Sequence, residues 1–436
     1  MSEADRSRGP DRRTANLLGI AQLAEIERRS RWSATRLWAH QQRKLAELLK
    51  SAWARSAFYR AHLAGHGIGK ADLGDVTIRD LPLANKRPLT DHFDDVVTVP
   101  GLTRSALEQW FEGNTDPESV YDERLVIVRS SGSAGAPGIF VYDREAWELV
   151  HRIASVRFPR APDGRGARYA FYNVADGRHV GITHARKVAT TADHALFLSV
   201  LEPLDEAVSS LNDFQPDVLI GYANAVHLLA AEARSGRLRM RPSIVLTSAE
   251  PLTDDMERDL VDVWPAVISC VYSRTESVFV AGQRAGEPWM TVMDDACWLE
   301  VVDDEGNEVA PGQSGRALLT NLYNLAMPIL RYDLQDVVTR GDPALSAPLE
   351  QHLPTTRHLG GSPCRVVARV EQVTRIGHDE RGLPGEAAPS KPPDATHLDG
   401  SPALAWRSGI SASRRGWSPR GRVRRRSGRA PSLAAR

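Results

Sequence analysis

The sequence predicts an α/β fold with mostly parallel sheets, formed by a large core with an added β-region toward residues 300–340. Two observations carry this. Strand-like and helical segments alternate through the middle of the chain, the pattern of helices covering a parallel sheet. The stretch "CWLEVVDDEGNEVAPGQSGRALLTNL" (297–322) then reads as two β-segments around polar turns. With 436 residues the chain can bury a sizeable core in one large domain and still carry a smaller unit.

In order along the chain, residues 1–20 are polar and are expected to be disordered. Leu37, Trp38, Gln41, Leu45, Leu48, Leu49 and Ala52 then recur at helical spacing, which predicts an amphipathic helix ending near Ser56–Tyr59. The prolines of "DLPLANKRPLTDHF" (80–93) mark connecting structure. A short apolar run at 125–128 and "IFVYD" (139–143) are strand-like, and "REAWELVHRIASVRF" (144–158) has helical periodicity. Beyond them come strand 217–222, helix 223–236 with Gly236 as its stop, strand 243–249, a helix from 253, and strand 266–272. Thr253 suits the N-cap of that helix, with acids in its first turn. After about residue 371 no period is sustained and Pro, Gly, Ser and Arg dominate, a composition that predicts disorder.

Composition narrows the function classes. Lys plus Arg and Asp plus Glu are 55 each, so net charge points to neither nucleic acid nor a membrane surface. Cys270, Cys297 and Cys364 lie far apart without a CxxC, which suits a reducing compartment and supplies no metal or disulfide framework. No apolar run approaches a membrane span, the N-terminus lacks a secretory core, and a cytoplasmic protein is expected. Locally the charge is not balanced, because residues 401–436 hold ten Arg and no Asp or Glu. Electrostatic nucleic-acid binding by "RGRVRRRSGR" (420–429) is a minor reading, since no aromatic platform accompanies it.

The stretch "SSGSAGAPG" (130–138) packs three Gly and three Ser between two strand-like runs. It is not a Walker loop, which needs GxxxxGK[ST] leading into a helix, and it lacks the GxSxG of a nucleophile elbow. Its N–H groups and the hydroxyls of Ser130, Ser131 and Ser133 suit an anion nest, and a plain flexible hairpin is the competing reading. "YSRTES" (272–277) follows a strand, and "MPILRYDLQD" (327–336) comes some sixty residues later.

Taken together, these segments resemble the adenylate-forming enzymes, and within them the branch of phenylacetate–CoA ligase. "SSGSAGAP" (130–137) is similar to the SSGTTGxP phosphate loop, "SAEPLT" (248–253) to GGEPL, "YSRTE" (272–276) to YGxTE, and "MPILRYDLQD" to MPLIRYxxGD. "DLPLANKRPLT" and "DVLIGYANAVHLLA" resemble further segments of the branch, so the likeness covers about residues 30–340. The resemblance implies ATP, Mg²⁺ and coenzyme A as cofactors, and attack of a carboxylate on the α-phosphorus of ATP. Ser130, Ser131, Gly132, Ser133 and Gly135 would then grip the terminal phosphates. Thr275 would bond the α-phosphate and Glu276 would hold Mg²⁺, the two forming the catalytic pair. Tyr272 would lie against the adenine beside Ser273, Ala249, Glu250 and Pro251, while Asp336 would accept from both ribose hydroxyls. Each also has a bland alternative, a surface ion pair for Glu276 and a turn or cap for Asp336. Tyr222 and "FYNVADGRHVGITHARK" (171–187) fall where the branch builds its acyl pocket. There His179, His184, Arg178 and Arg186 are candidates to meet a carboxylate, against a solvated loop as the competing reading.

Departures from the pattern are also legible. Ala134 replaces a hydroxyl residue, Gly138 stands where many superfamily members have lysine, and Ser273 and Gln335 replace glycines, tolerable where the backbone angles are not glycine-like. "CRVVARVEQV" (364–373) resembles the approach to the family's hinge, but nothing after it resembles the lysine-bearing lid. The expected organisation is therefore a disordered 1–20, a core at 21–340, a remnant leading to the hinge at 341–375, and a disordered tail at 376–436. The expected function is activation of a carboxylic acid, which this branch favours as aromatic, with transfer to a thiol such as coenzyme A. A nucleotide- or acyl-binding protein with incomplete catalysis is the alternative. Expected partners are the acid, ATP and coenzyme A, with homodimerisation left open.

Overall fold

The computed structural model describes residues 12–130, 137–159, 166–175, 177–190, 194–283, 285–287, 289–341 and 367–372. All of them belong to one unit, Met1–His378. The predicted tail 376–436 and residues 1–11 lie outside the described residues.

Strands β1 (Leu125–Arg129) and β2 (Ile139–Asp143) form an antiparallel pair of their own. The main sheet has eleven strands. Its parallel part comprises β3 (Arg168–Asn173), β4 (His194–Ser199), β5 (Val218–Tyr222), β6 (Ile244–Ser248) and β7 (Val267–Arg274), in spatial order β4-β3-β5-β6-β7. Antiparallel pairing then adds β8 (Val278–Gln283), β9 (Met290–Val292), β10 (Cys297–Val302), β11 (Ser314–Asn321), β12 (Tyr332–Arg340) and β13 (Val367–Gln372). The parallel part and the β-rich extension are those expected from the alternation and from the two segments in 297–322. The 364–373 segment, read as an approach to a hinge, supplies β13, which joins β12 to β9.

Strands β3, β5, β6 and β7 are largely buried, as covered parallel strands must be, while the edge strand β4 is partly exposed. Helices Leu204–Phe214, Ala223–Arg234 and Asp254–Val263 pack on one face through Leu211, Leu229 and Leu260. Helix Val180–Ala189 covers part of the other through Ile182 and Ala185. Gly221 permits this packing, because a Cβ there would stand 2.6 Å from the Tyr172 carbonyl oxygen on β3. The Thr253 hydroxyl accepts from Met256 N at 3.3 Å, so the predicted N-cap is present.

The N-terminal helix Ala34–Arg55 buries Leu45, Leu48 and Leu49 completely, each contributing about 1.5–3 kcal/mol. Its cap at Ser56 falls at the predicted end. Trp38, expected on the apolar face, is 57% exposed, and His40 is buried in the stripe instead. A helix also runs over Arg12–Arg29, beginning within the stretch 1–20 expected to be disordered. Its apolar anchor, Ile26, lies beyond that polar stretch and is buried.

This helical region braces the segment leading into β12. The Tyr59 hydroxyl donates to Pro328 O at 2.8 Å, and the Arg331 guanidinium donates to Arg79 O at 3.1 Å and Leu81 O at 2.9 Å. The Arg331 charge is balanced by buried Glu300 at 3.3 Å. Among the described residues no helix is long and apolar enough to cross a membrane.

Candidate nucleotide and acyl site

In an open parallel α/β sheet, side chains beyond the C-terminal strand ends converge at one edge, where ligands bind. Here β5 ends at Tyr222, β6 runs into Ala249-Glu250-Pro251, and β7 runs into Thr275-Glu276. An open cavity at this edge is lined by Ala249, Glu250, Pro251, Cys270, Val271, Tyr272, Ser273, Arg274 and Met290. Five of the sequence-predicted residues thus share one cavity.

Asp336 joins them from β12. Its side chain is 1% exposed, and the Tyr272 hydroxyl donates to its Oδ2 at 2.6 Å. The Arg274 Nε lies 3.4 Å from the same oxygen, and Arg274 Nη2 donates to Leu334 O at 3.0 Å. Burial pushes the Asp336 carboxyl up, while Arg274 and the Tyr272 bond pull it down. Burial also pushes the Tyr272 phenol well above its ordinary range, and adjacent Asp336 adds to that. Tyr272 is therefore a donor throughout the neutral range.

The turn after β7 presents Thr275 at intermediate exposure and Glu276 at 7%. Asn321 Nδ2 donates to Glu276 O at 3.0 Å, and the buried Tyr332 phenol lies in the field of the Glu276 carboxylate. The Tyr142 hydroxyl on β2 donates to Thr275 O at 2.6 Å, and Asn324 Nδ2 donates to Val141 O at 2.9 Å. These bonds dock the β1–β2 hairpin onto the turn. Glu276 is accordingly a held, buried carboxylate, not the exposed ion pair of the bland reading.

Residues 131–136 lie outside the described residues, and with them Ser131, Gly132, Ser133 and Gly135. The base of that loop is described. Ser130 N donates to Gly138 O at 2.9 Å, and Gly138 N donates to Ser130 Oγ at 2.8 Å. Ser130 therefore closes the hairpin. Arg129, one residue earlier, pairs through its backbone with Arg178 and His179. The base of this loop and the predicted acyl region are neighbours.

Within that region, 171–187 is a strand end and a helix rather than a solvated loop. Arg178 does not await a carboxylate: its guanidinium donates to the carbonyls of Asp116, Ser119 and Ile127 and lies 4.3 Å over the Trp110 ring. Arg186 lies 3.9 Å over Phe197. His179 is the residue preceding helix Val180–Ala189, without a side-chain cap bond. Tyr222 stands at the start of helix Ala223–Arg234, its hydroxyl accepting from Val174 N at 3.4 Å. Glu250 caps the same helix, accepting from Asn224 N at 2.9 Å.

His184 is stacked on His151, with Nδ1 atoms 2.9 Å apart and rings 5° from parallel. No described contact brings His184 to the cavity. Burial pulls its pKa from the ordinary 6.5 down to about 4, and burial beside His184 pulls His151 lower still. Both are neutral in the fold, whereas unfolded histidines protonate near 6.5. The unfolded state then binds more protons as pH falls from about 6.5 toward 4, so stability is level above about pH 7 and drops through that window. His184→Asn, which cannot titrate, should lose about 2 kcal/mol less than the wild type between pH 7 and about pH 5. Urea midpoints at the two pH values measure this, and parallel losses would remove His184 as a cause.

Backbone strain collects at these motifs. Ala249, Val278, Arg331 and Gln335 have φ of 66°, 52°, 41° and 58°. Side chains rarely adopt this left-handed region outside glycine, and such strain gathers at functional sites. Ser273 does not adopt it, so its replacement of glycine is accommodated, whereas Gln335 occupies a glycine-like conformation. Asp333 Oδ1 supports that turn by accepting from Gln335 N at 2.8 Å. Gln335→Gly should raise stability by about 0.5–1 kcal/mol, the relief exceeding the added unfolded-state entropy. A melting temperature unchanged or lowered would show that Gln335 is not strained.

Sequence reasoning missed Arg274, Tyr332 and His151. The one local signal was a lone cation between Ser273 and Thr275, two residues before an acid. The other two are joined to the site or to His184 by contacts remote in sequence.

No family model matches the chain. Among curated proteins, phenylacetate–coenzyme A ligase of Pseudomonas putida is 25% identical over 355 residues, covering 77% of this chain and 74% of that protein. The protein of the same name from Escherichia coli (strain K12) is 23% identical over 324 residues, covering 70% and 67%. Among solved structures, 2-hydroxyisobutyryl-CoA ligase in complex with 2-HIB-AMP and CoA superimposes with a TM-score of 0.60 at 18% identity, covering 79% of this chain and 68% of that one. The chain is thus similar to phenylacetate–CoA ligase over about three quarters of its length and shares the fold of an acyl-CoA ligase core. Two of the four motifs line the cavity, and the third, MPILRYDLQD, joins them through the Asp336–Tyr272 bond. Protein CapK of Staphylococcus aureus is a further relative, 21% identical over 312 residues and covering 69% of this chain and 63% of that protein.

Proposed function

We propose that this enzyme activates a carboxylic acid with ATP and transfers the acyl group to coenzyme A. In the first step a carboxylate oxygen attacks the α-phosphorus, the bond to the β-phosphate breaks, and pyrophosphate leaves. In the second, a thiolate attacks the acyl carbonyl and AMP leaves. The observation that carries the reading is the convergence of the Tyr272-lined cavity, the Asp336 carboxylate and the Glu276 turn at one sheet edge.

The chemistry asks for alignment and for charge stabilisation. Adenosine lies in the cavity, with Ala249, Glu250 and Pro251 on one side and Tyr272 on the other. Asp336 accepts from the ribose hydroxyls. Thr275 bonds the α-phosphate, while Ser131, Gly132, Ser133 and Gly135 grip the terminal phosphates over the hairpin base that Ser130 closes. The described residues hold no group of three or more acids, histidines or cysteines that could bind a metal. Glu276 alone suits Mg²⁺, a cation usually held by one or two carboxylates together with substrate phosphates. When bound, Mg²⁺ neutralises charge on the triphosphate, and Glu276 fixes where.

An aromatic acid is the proposed substrate class. Two curated relatives carry phenylacetate in their names. The test offers ATP, Mg²⁺ and coenzyme A with phenylacetate, benzoate or 2-hydroxyisobutyrate. Equal amounts of AMP and acyl-CoA with an aryl acid support the reading. Turnover confined to 2-hydroxyisobutyrate would replace the substrate class, and no AMP with any acid would favour a binding protein.

A further inference from the structure

We propose that Arg274 is a positioning residue that fixes Asp336 for the ribose of the nucleotide. The inference rests on the reading of Asp336 as the ribose acceptor. Arg274 is the last residue of β7, and its guanidinium reaches β12 at two points, Leu334 O at 3.0 Å and Asp336 Oδ2 at 3.4 Å. Tyr272, two residues earlier, holds the same Oδ2 at 2.6 Å. The ladder of β7 with β8 shifts register between Tyr272 and Ser273, the kind of irregularity that re-aims side chains. Among the described residues no hydrogen bond is made to Asp336 Oδ1, which is therefore the oxygen available to a ligand.

Two further facts give Arg274 work to do. Gln335, between its two β12 contacts, has a φ of 58°, so the backbone carrying Asp336 is held in a conformation it would not choose. Arg274 also lies in the field of both Glu276 and Asp336, and without it two carboxylates would face an incoming triphosphate across a buried site. A planar fork can touch a carbonyl and a carboxylate at once, which lysine's point charge cannot. Arg274 lines the cavity itself, so its effect is exerted where the nucleoside sits.

The experiment titrates the full chain, with Mg²⁺, against ATP and against 2′,3′-dideoxy-ATP. Wild type, Arg274→Met, Arg274→Lys, Asp336→Ala and the Arg274→Met/Asp336→Ala double variant are compared, with melting temperatures recorded. The wild type should prefer ATP by roughly 10- to 100-fold, and Asp336→Ala should abolish that preference. Arg274→Met should cut it about tenfold with melting close to wild type, any loss of dideoxy-ATP affinity being smaller than the loss for ATP. Arg274→Lys should fall between. The double variant should be no worse than Asp336→Ala, because the two residues act as one unit. If Asp336→Ala loses the preference and Arg274→Met keeps it, the role of Arg274 is overturned and the ribose reading stands. If Asp336→Ala keeps it, the ribose reading fails, and this inference with it. Equal losses for both nucleotides with a lowered melting temperature, in the Met and Lys variants alike, would make Arg274 a structural residue only.

Discussion

Glu276→Gln is expected to slow acyl-adenylate formation by roughly 10²–10³-fold, or about 3–4 kcal/mol. The change is isosteric. The contacts that shape the turn, Asn321 to Glu276 O and Tyr142 to Thr275 O, use backbone oxygens and survive it. What is lost is the negative charge that would hold Mg²⁺ against the triphosphate. The melting temperature should stay near that of the wild type, and the Mg²⁺ concentration for half-maximal rate should rise. Mg²⁺ titrations of the initial rate in both proteins measure the effect. An unchanged rate with unchanged Mg²⁺ dependence would place Glu276 outside the chemistry.

Asp336→Ala is expected to weaken ATP binding by roughly 10²-fold and to leave inorganic triphosphate binding near its original value. Each hydrogen bond from a ribose hydroxyl to a carboxylate contributes about 1.5–3 kcal/mol. The substitution also strands Arg274 and the Tyr272 hydroxyl, which now meet at Asp336 Oδ2, so part of the loss will be their unpaired burial. Triphosphate never reaches the ribose position and reports only on the phosphate side. Calorimetric titration with each ligand separates the two. Equal losses for both would mean that Asp336 holds the fold rather than the nucleotide.

Local signals made much of this molecule legible in advance. Strands β5, β6 and β7 were readable because each is a short apolar run bounded by turn or cap residues, and Thr253 with the acids after it announced the helix between β6 and β7. Ala249, Glu250, Pro251, Tyr272 and Ser273 were grouped by the resemblance of their motifs, and they share one cavity because they lie at the C-terminal ends of adjacent parallel strands. What stayed hidden depends on partners distant in sequence. β13 is a strand only because β12 and β9 leave a place between them. Arg178 read as a ligand for a carboxylate, but three carbonyls from Asp116, Ser119 and Ile127 consume its donors. His184 read as a pocket residue because nothing local showed His151 stacked on it. The left-handed conformation of Gln335 runs against its own propensity and is imposed by the turn that presents Asp336.

The most direct measurement is ATP–pyrophosphate exchange, with labelled pyrophosphate, Mg²⁺ and an aryl carboxylic acid but no coenzyme A. Adenylation is reversible, so an enzyme that forms an acyl-adenylate returns label to ATP only when the acid is present. The account predicts exchange that depends on the acid, requires Mg²⁺ and falls roughly 10²–10³-fold in Glu276→Gln. ATP bound at the cavity with no acid-dependent exchange, across aryl and aliphatic acids alike, would contradict it.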